Sequence, residues 1–420
     1  MKFVHAADIH LDSPLRGLER YPDAPVDEAR NATRLAFENL VDLAIEEEAA
    51  FVLLAGDLYD GDWRDYNTGL CFVGQMNRLR QAGIQVHLVS GNHDAASQIT
   101  KNLRLPDNVV HYDHRRPQTV TRGDLGVAIH GQSFGSRSVG ENLAAGFPVG
   151  DPALFNIGLL HTSLDGRPPH DDYAPCSIDT LRSKGYRYWA LGHVHRREEV
   201  SRDPWIVFPG NLQGRHARET GPRGCTLVAV EEGEVTSVEA RDLDVLRWAV
   251  VRVDVAAATS ADAAVESVRR ALERELDASD GRLVAARVLL EGASPAHAEL
   301  SREPERWIHE VRAQASALDS PGVWLEKVEM RTRRPVDLAR QLERDDALGD
   351  LLRGIASLES APLELESLAA EFADLKSKLP VELTSGEEAL DPTQPAVLEA
   401  SLPDVLEILL GRLLHEGGST

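Results

Sequence analysis

Short, mostly apolar runs in the first 200 residues stop, one after another, on an aspartate, an asparagine or a histidine. Lys2–Ala7 leads into Asp8-Ile9-His10, Phe51–Ala55 into Gly56-Asp57, and Ile84–Val89 into Gly91-Asn92-His93-Asp94. Asn156–Leu160 ends in His161, and Tyr188–Leu191 in Gly192-His193-Val194-His195. Runs this short read as buried strands. Gly126–His130, Trp205–Phe208 and Cys225–Val230 are further candidates. Between the first strands lie segments with near-helical spacing: Leu35, Leu40, Leu43 and Ala44, then Leu70, Val73, Met76 and Leu79 before Gly83. Strand, helix, strand in repetition builds a sheet with helices on its faces. Ligands of such sheets gather outside the strand carboxyl ends, so these polar endings are placed to meet.

Their chemistry is that of cation ligands. Asp8 and His10 are two apart and point to one face of an extended chain, as do His193 and His195. A carboxylate beside an imidazole makes a corner for a hard-to-borderline metal ion. Asn92 offers a neutral carbonyl oxygen, His93 a proton donor, and Asp94 an acceptor able to orient that histidine. A lone D-x-H or Gly-Asp pair is common in turns and cores. It is the succession that carries information.

In order, Asp8-x-His10, Gly56-Asp57, Gly91-Asn92-His93-Asp94, the strand ending in His161, and Gly192-His193-x-His195 resemble the motif series of calcineurin-like metallophosphoesterases. The words His5-Ala6-Ala7-Asp8-Ile9-His10-Leu11-Asp12, Gly56-Asp57-Leu58-Tyr59-Asp60 and Phe208-Pro209-Gly210-Asn211-Leu212-Gln213-Gly214-Arg215-His216 resemble bacterial DNA repair exonucleases of the SbcD and YhaO type. The resemblance implies an α/β fold: a two-sheet metallophosphoesterase sandwich flanked by helices (1–244), a smaller α+β capping domain (245–335) and a helical, acidic tail (336–420). It implies two divalent ions, Mn²⁺ first, with Fe²⁺ and Mg²⁺ as alternatives. Asp8, His10, Asp57 and His195 would hold one ion, and Asp57, Asn92, His161 and His193 the other. His93 would stabilise the transition state or protonate the leaving oxygen, with Asp94 holding its ring. Some members carry a second histidine three residues after the bridging acid, where this chain has Asp60. The implied activity is that of a metal-dependent DNA exonuclease, with an SMC-like coiled-coil ATPase as partner and a homodimer as one assembly. Two other readings fit the same residues: a phosphodiesterase or phosphatase acting on nucleotides or phosphoproteins, and a non-catalytic scaffold subunit.

The rest of the sequence sets bounds. The 420 residues are 42% hydrophobic and 27% charged, which is ordinary globular composition and suggests two or three domains. Leu246–Val255, Ser260–Leu276, Leu283–Leu290, Glu303–Leu318 and Val323–Met330 read as a second strand-and-helix unit. Leucine stripes at Leu338–Leu352, Leu363–Leu379 and Val397–Leu414 read as helices, with Pro380–Pro395 as a linker. Net charge is −23, against a generally basic nucleic-acid surface, and residues 336–420 hold 18 acids against 6 bases. Loop arginines (Arg115, Arg116, Arg137, Arg196, Arg197, Arg215, Arg218, Arg223) are candidates for phosphate contacts. Cys71, Cys176 and Cys225 form no C-x-x-C pair, and neither a membrane span nor a signal peptide is expected, so the expectation is cytoplasmic. If Asp57 bridges two ions, Asp57→Asn loses both together. Metal analysis by mass spectrometry checks this, and two ions retained at unchanged affinity would refute the bridge.

Overall fold

The computed structural model describes residues 1–13, 26–60, 66–96, 104–164, 173–318, 322–335, 338–357, 362–379, 391–402 and 405. The first strands are β1 (Lys2–Ala6), β2 (Phe51–Ala55), β3 (Gln85–Val89) and β4 (Val109–His111). There follow β5 (Gln118–Arg122), β6 (Val127–Gln132), β7 (Phe155–His161), β8 (Tyr188–Gly192), β9 (Glu198–Arg202) and β10 (Trp205–Phe208). The chain then returns as β11 (Gly224–Glu231) and β12 (Glu234–Asp242). One sheet has the order β12-β11-β1-β2-β3-β4 and the other β5-β6-β7-β8-β10-β9. Within them β1 to β4 run parallel, as do β6, β7, β8 and β10. Parallel neighbours end at the same edge, which is why polar residues 150 positions apart in sequence can share one site.

The sheets face each other. Phe3, Phe51, Leu53 and Val89 pack against Ile129, Ile157, Leu159 and Tyr188 from the second sheet, with Phe3 stacked on Phe51 at 5.1 Å. Alternate residues Val4, Val52, Leu54, Val86 and Leu88 point outward against helices α1 (Val26–Glu46) and α2 (Tyr66–Gln81). On the far side, Leu160, Trp189, Leu191 and Phe208 are covered by Phe147, Leu181 and Tyr186. Both faces of β2 and β7 are therefore dry, which produces continuous apolar runs instead of alternation.

The helix faces differ from the expected stripes. Leu70 is 65% exposed, and the buried side of α2 is Phe72, Met76 and Leu79. Steps of three drift around a helix that turns every 3.6 residues. On α1, Leu35 points outward while Phe37, Leu40, Val41 and Ala44 are buried.

The smaller unit has three parallel strands, β13 (Leu246–Asp254), β14 (Leu283–Ala293) and β15 (Val323–Arg333), in that order. Helices Ala261–Asp277, capped by the Ser260 hydroxyl, and Pro304–Ser316 cover one face. They alternate with the strands, so the unit is α/β by connection where α+β was expected. Its other face, with Leu246, Trp248, Ala285 and Trp324, packs on Ala32 of α1 and on Ala217. In the tail, Leu342, Leu348, Leu352 and Ile355 pack on one another. Most of the expected Pro380–Pro395 linker, and the Val397–Leu414 helix beyond residue 402 apart from residue 405, lie outside the described residues. Among those described, no helix is long and apolar enough to cross a membrane.

Phe51→Ala removes a ring buried between the sheets and is expected to cost about 3–5 kcal/mol. Leu70→Ala should stay within about 0.5 kcal/mol. Urea unfolding of the two variants measures the contrast, and equal losses would contradict the packing described.

Candidate metal centre

At the shared carboxyl edge the chain leaves β1, β2 and β8 by tight turns. Asp8, His10, Asp12, Asp57 and His193 all have positive φ, half of the ten non-glycine residues that do so among those described. Such conformations cost on the order of 1–3 kcal/mol each and cluster where the surrounding structure needs them. Here they fold polar side chains inward. Backbone bonds from Asp8 to Gly56 (3.0 Å), His10 to Asp57 (3.0 Å) and Leu11 to Leu58 (2.9 Å) lock the two turns together. A side chain on Gly91 would strike the Asp57 carboxylate and the His161 ring, and one on Gly192 would strike the Ala55 carbonyl. Glycine is required at both places.

The converging atoms are close. Ligand atoms of Asp8, His10 and His195 lie within 4.8 Å of one another, as do those of Asp8, Asp57 and His161. Asp57 Oδ2 is 3.5 Å from His161 Nε2 and 4.0 Å from His10 Nε2, between the two groups. His161 Nε2 is 2.9 Å from Asn92 Oδ1. The His193 ring stands 5.2 Å from that of His161, and the His193 N–H donates to Asp8. All seven residues expected as ligands thus converge at one edge of the two sheets.

The hydrogen bonds behind the rings decide what their front nitrogens do. His161 Nδ1 donates to the Ala55 carbonyl at 2.9 Å, His195 Nδ1 to Glu219 at 2.7 Å, and His10 Nδ1 to Asp60 at 3.2 Å. With the proton held on Nδ1, each ring turns an Nε2 lone pair inward. His10 Nε2 and His195 Nε2 then face each other at 3.3 Å with no proton to share. Burial lowers all three histidines, His161 to about 4, and Arg215 adds to the effect at His10 and His195, so the rings are neutral at pH 7. Burial raises the Asp8 and Asp57 carboxyls; the Asp57 charge raises Asp8 further, while His93, His195 and Arg215 pull Asp57 back. Opposed lone pairs and two buried carboxylates are a donor set for divalent cations, with oxygen and nitrogen ligands and no thiolate.

Two supporting residues differ from expectation. Asp94 was expected to hold the His93 ring. Its carboxylate instead accepts the backbone N–H groups of Leu58, Tyr59 and Gly91, at 2.9–3.1 Å, bracing the turn after Asp57. The ring is paired with Asp60, whose Oδ1 lies 3.2 Å from both His93 Nδ1 and His10 Nδ1. Burial would lift Asp60, but the His10 and His93 bonds hold it well below the usual range. Burial opposes protonation of His93, yet Asp60 and the Asp57 charge raise its pKa. Its side chain is 34% exposed, the opening through which a reactant could reach it. Glu219 was not anticipated, because an acid four residues beyond Arg215 has no recognisable spacing to His195. Of the loop arginines, Arg215 reaches the centre; Arg197 pairs with Glu199, and Arg223 ties the His195 carbonyl to Asn211. Arg115, Arg116, Arg137 and Arg218 are exposed.

Two facing sheets with this ligand set at their common edge define a metal-dependent phosphoesterase. The family profile described as calcineurin-like phosphoesterase matches residues 1–197, and one described as the middle domain of metallophosphoesterase YhaO matches residues 248–333. The chain is 36% identical over 299 residues to "Uncharacterized metallophosphoesterase YhaO" of Bacillus subtilis, covering 70% of this chain and 72% of that one. It is 25% identical over 404 residues to "DNA double-strand break repair protein Mre11" of Methanopyrus kandleri, covering 84% and 83%. A Sulfurisphaera tokodaii protein of the same name is 22% identical over 309 residues, covering 70% and 74%. The chain belongs to the calcineurin-like metallophosphoesterase family, within its YhaO type.

Glu219→Gln keeps the shape beside His195 but weakens the acceptor that orients it. Manganese affinity should fall about 10–100-fold by calorimetry; affinity equal to the parent would remove Glu219 from the centre.

Proposed function

We propose that this chain is a DNA exonuclease that hydrolyses phosphodiester bonds with two divalent ions, Mn²⁺ in the first place. Asp8, His10, Asp57 and His195 would hold one, and Asp57, Asn92, His161 and His193 the other. Supporting this is the pair of opposed ring nitrogens, His10 and His195, beside two buried carboxylates. Bound there, such ions neutralise phosphate charge and make water a nucleophile near neutral pH.

The chain's own residues do the remainder. Asp60 fixes the partly exposed His93 ring through Nδ1, so its Nε2 can hand a proton to the departing oxygen. Asp94 keeps the Asp57 turn in place. The DNA substrate is supported by the Mre11 relatives, whose names state DNA double-strand break repair, one of them aligning over 84% of this chain. On the same footing we assign residues 1–244 to catalysis and 245–335 to a cap that contacts DNA. Residues 336–420 would dock on an SMC-like ATPase, and a homodimer is the proposed assembly.

Incubation of end-labelled single- and double-stranded DNA with the manganese-loaded chain should release nucleotides stepwise. His93→Gln should keep both metals and lose at least about 100-fold in turnover. No digestion by the parent, with small phosphodiesters cleaved, would move the substrate away from DNA; full activity in the variant would remove His93 from the reaction.

A further inference from the structure

Among the described residues near the centre, Arg215 is a partly buried charge whose side chain is poorly bonded. Its side chain is 17% exposed and lies between the two carboxylates that orient metal-facing histidines. Yet Nη1 is 3.7 Å from Asp60 and Nη2 is 3.7 Å from Glu219, beyond hydrogen-bond length. Its nearest side-chain approach is to His195 Nδ1 at 3.4 Å, an atom whose proton already goes to Glu219. Nε is buried with no partner. Arg197, Arg223 and Arg241 also leave Nε unpaired, but each makes a short bond elsewhere: to Glu199 at 2.9 Å, Asn211 at 3.0 Å and Glu47 at 3.2 Å. Among the described residues, the Arg215 side chain comes no nearer than 3.4 Å to a partner.

A guanidinium held this deep without a bond of ordinary length is costly unless something completes it. Its fork suits two oxygens of a phosphate group better than any point cation would. The backbone fixes it there, since the Arg215 N–H donates to Glu219 Oε2 at 2.7 Å. Asp60 also lies within 3.2 Å of His93, so the guanidinium and the proposed proton donor flank one carboxylate.

Resting on the phosphodiesterase reading above, we infer that Arg215 is a substrate-binding residue that grips the non-bridging oxygens of the phosphate beside the metal centre. It supplies positive charge from the protein to a phosphate in a chain whose overall charge is strongly negative. A purely structural role, as counter-ion to Asp60 and Glu219, would leave phosphate binding untouched and disturb His195 instead.

Calorimetric titration of the manganese-loaded full chain with inorganic phosphate separates these. Arg215→Ala is expected to weaken phosphate binding at least tenfold with manganese uptake unchanged, and Arg215→Lys to recover only part, because the charge returns without the fork. Phosphate affinity equal to the parent in Arg215→Ala, no phosphate binding by the parent, or a parallel loss of manganese in both variants would each overturn the inference. A parent that binds phosphate through Arg215 but cleaves no phosphodiester refutes the functional reading alone. Cleavage unaffected by Arg215→Ala, with phosphate affinity unchanged, refutes this inference alone.

Discussion

Two aspartates, Asp8 and Asp57, sit buried side by side where the carboxyl ends of two sheets meet. Burial favours the protonated form of both, and the Asp57 charge adds to the effect at Asp8, while His93, His195 and Arg215 counter it at Asp57. The left-handed turns, the glycines that admit them and the three inward lone pairs are arranged around that pair. A cation pair would give Asp8, His10, Asp57 and His193 a task, whereas Asp12 is held by Arg34 and Thr68.

Behind these converging residues lies a layer of fixed acceptors. Asp60 sets the proton position on His10 and His93, Glu219 on His195 and the Ala55 carbonyl on His161, and Asp94 secures the turn that carries Asp57. Glu219 and Arg215 belong to a segment that the smaller unit grips. Gln213 bonds to the Leu246 carbonyl at 2.6 Å and the Val245 N–H at 2.9 Å, and the Trp248 indole donates to Gly214 at 3.0 Å. The smaller unit is thereby coupled to His195 by a few residues of backbone.

Much of the fold was legible because buried strands are apolar on both faces and stop abruptly at polar residues; β1, β2, β3, β7 and β8 all announce themselves that way. The strands β5, β9 and β12 do not, since Gln118–Arg122, Glu198–Arg202 and Glu234–Asp242 lie at sheet edges and carry polar side chains. The convergence of the seven residues expected as ligands was legible because parallel strands must end together. Their supporting acceptors were not. Asp60 and Glu219 are ordinary acids in sequence, and only the tertiary fold sets them behind His10 and His195. Asp94 was misread for the same reason: adjacency to His93 suggested a pair, whereas the short helix Asn92–Ala96 directs its carboxylate back toward Gly91 and the Asp57 turn.

Anomalous diffraction from crystals grown with manganese tests the central claim most directly. Two peaks are expected, one among Asp8, His10, Asp57 and His195, the other among Asp57, Asn92, His161 and His193. Density with no manganese at that edge, or ions bound elsewhere while the His10 and His195 rings still face each other, would contradict the account.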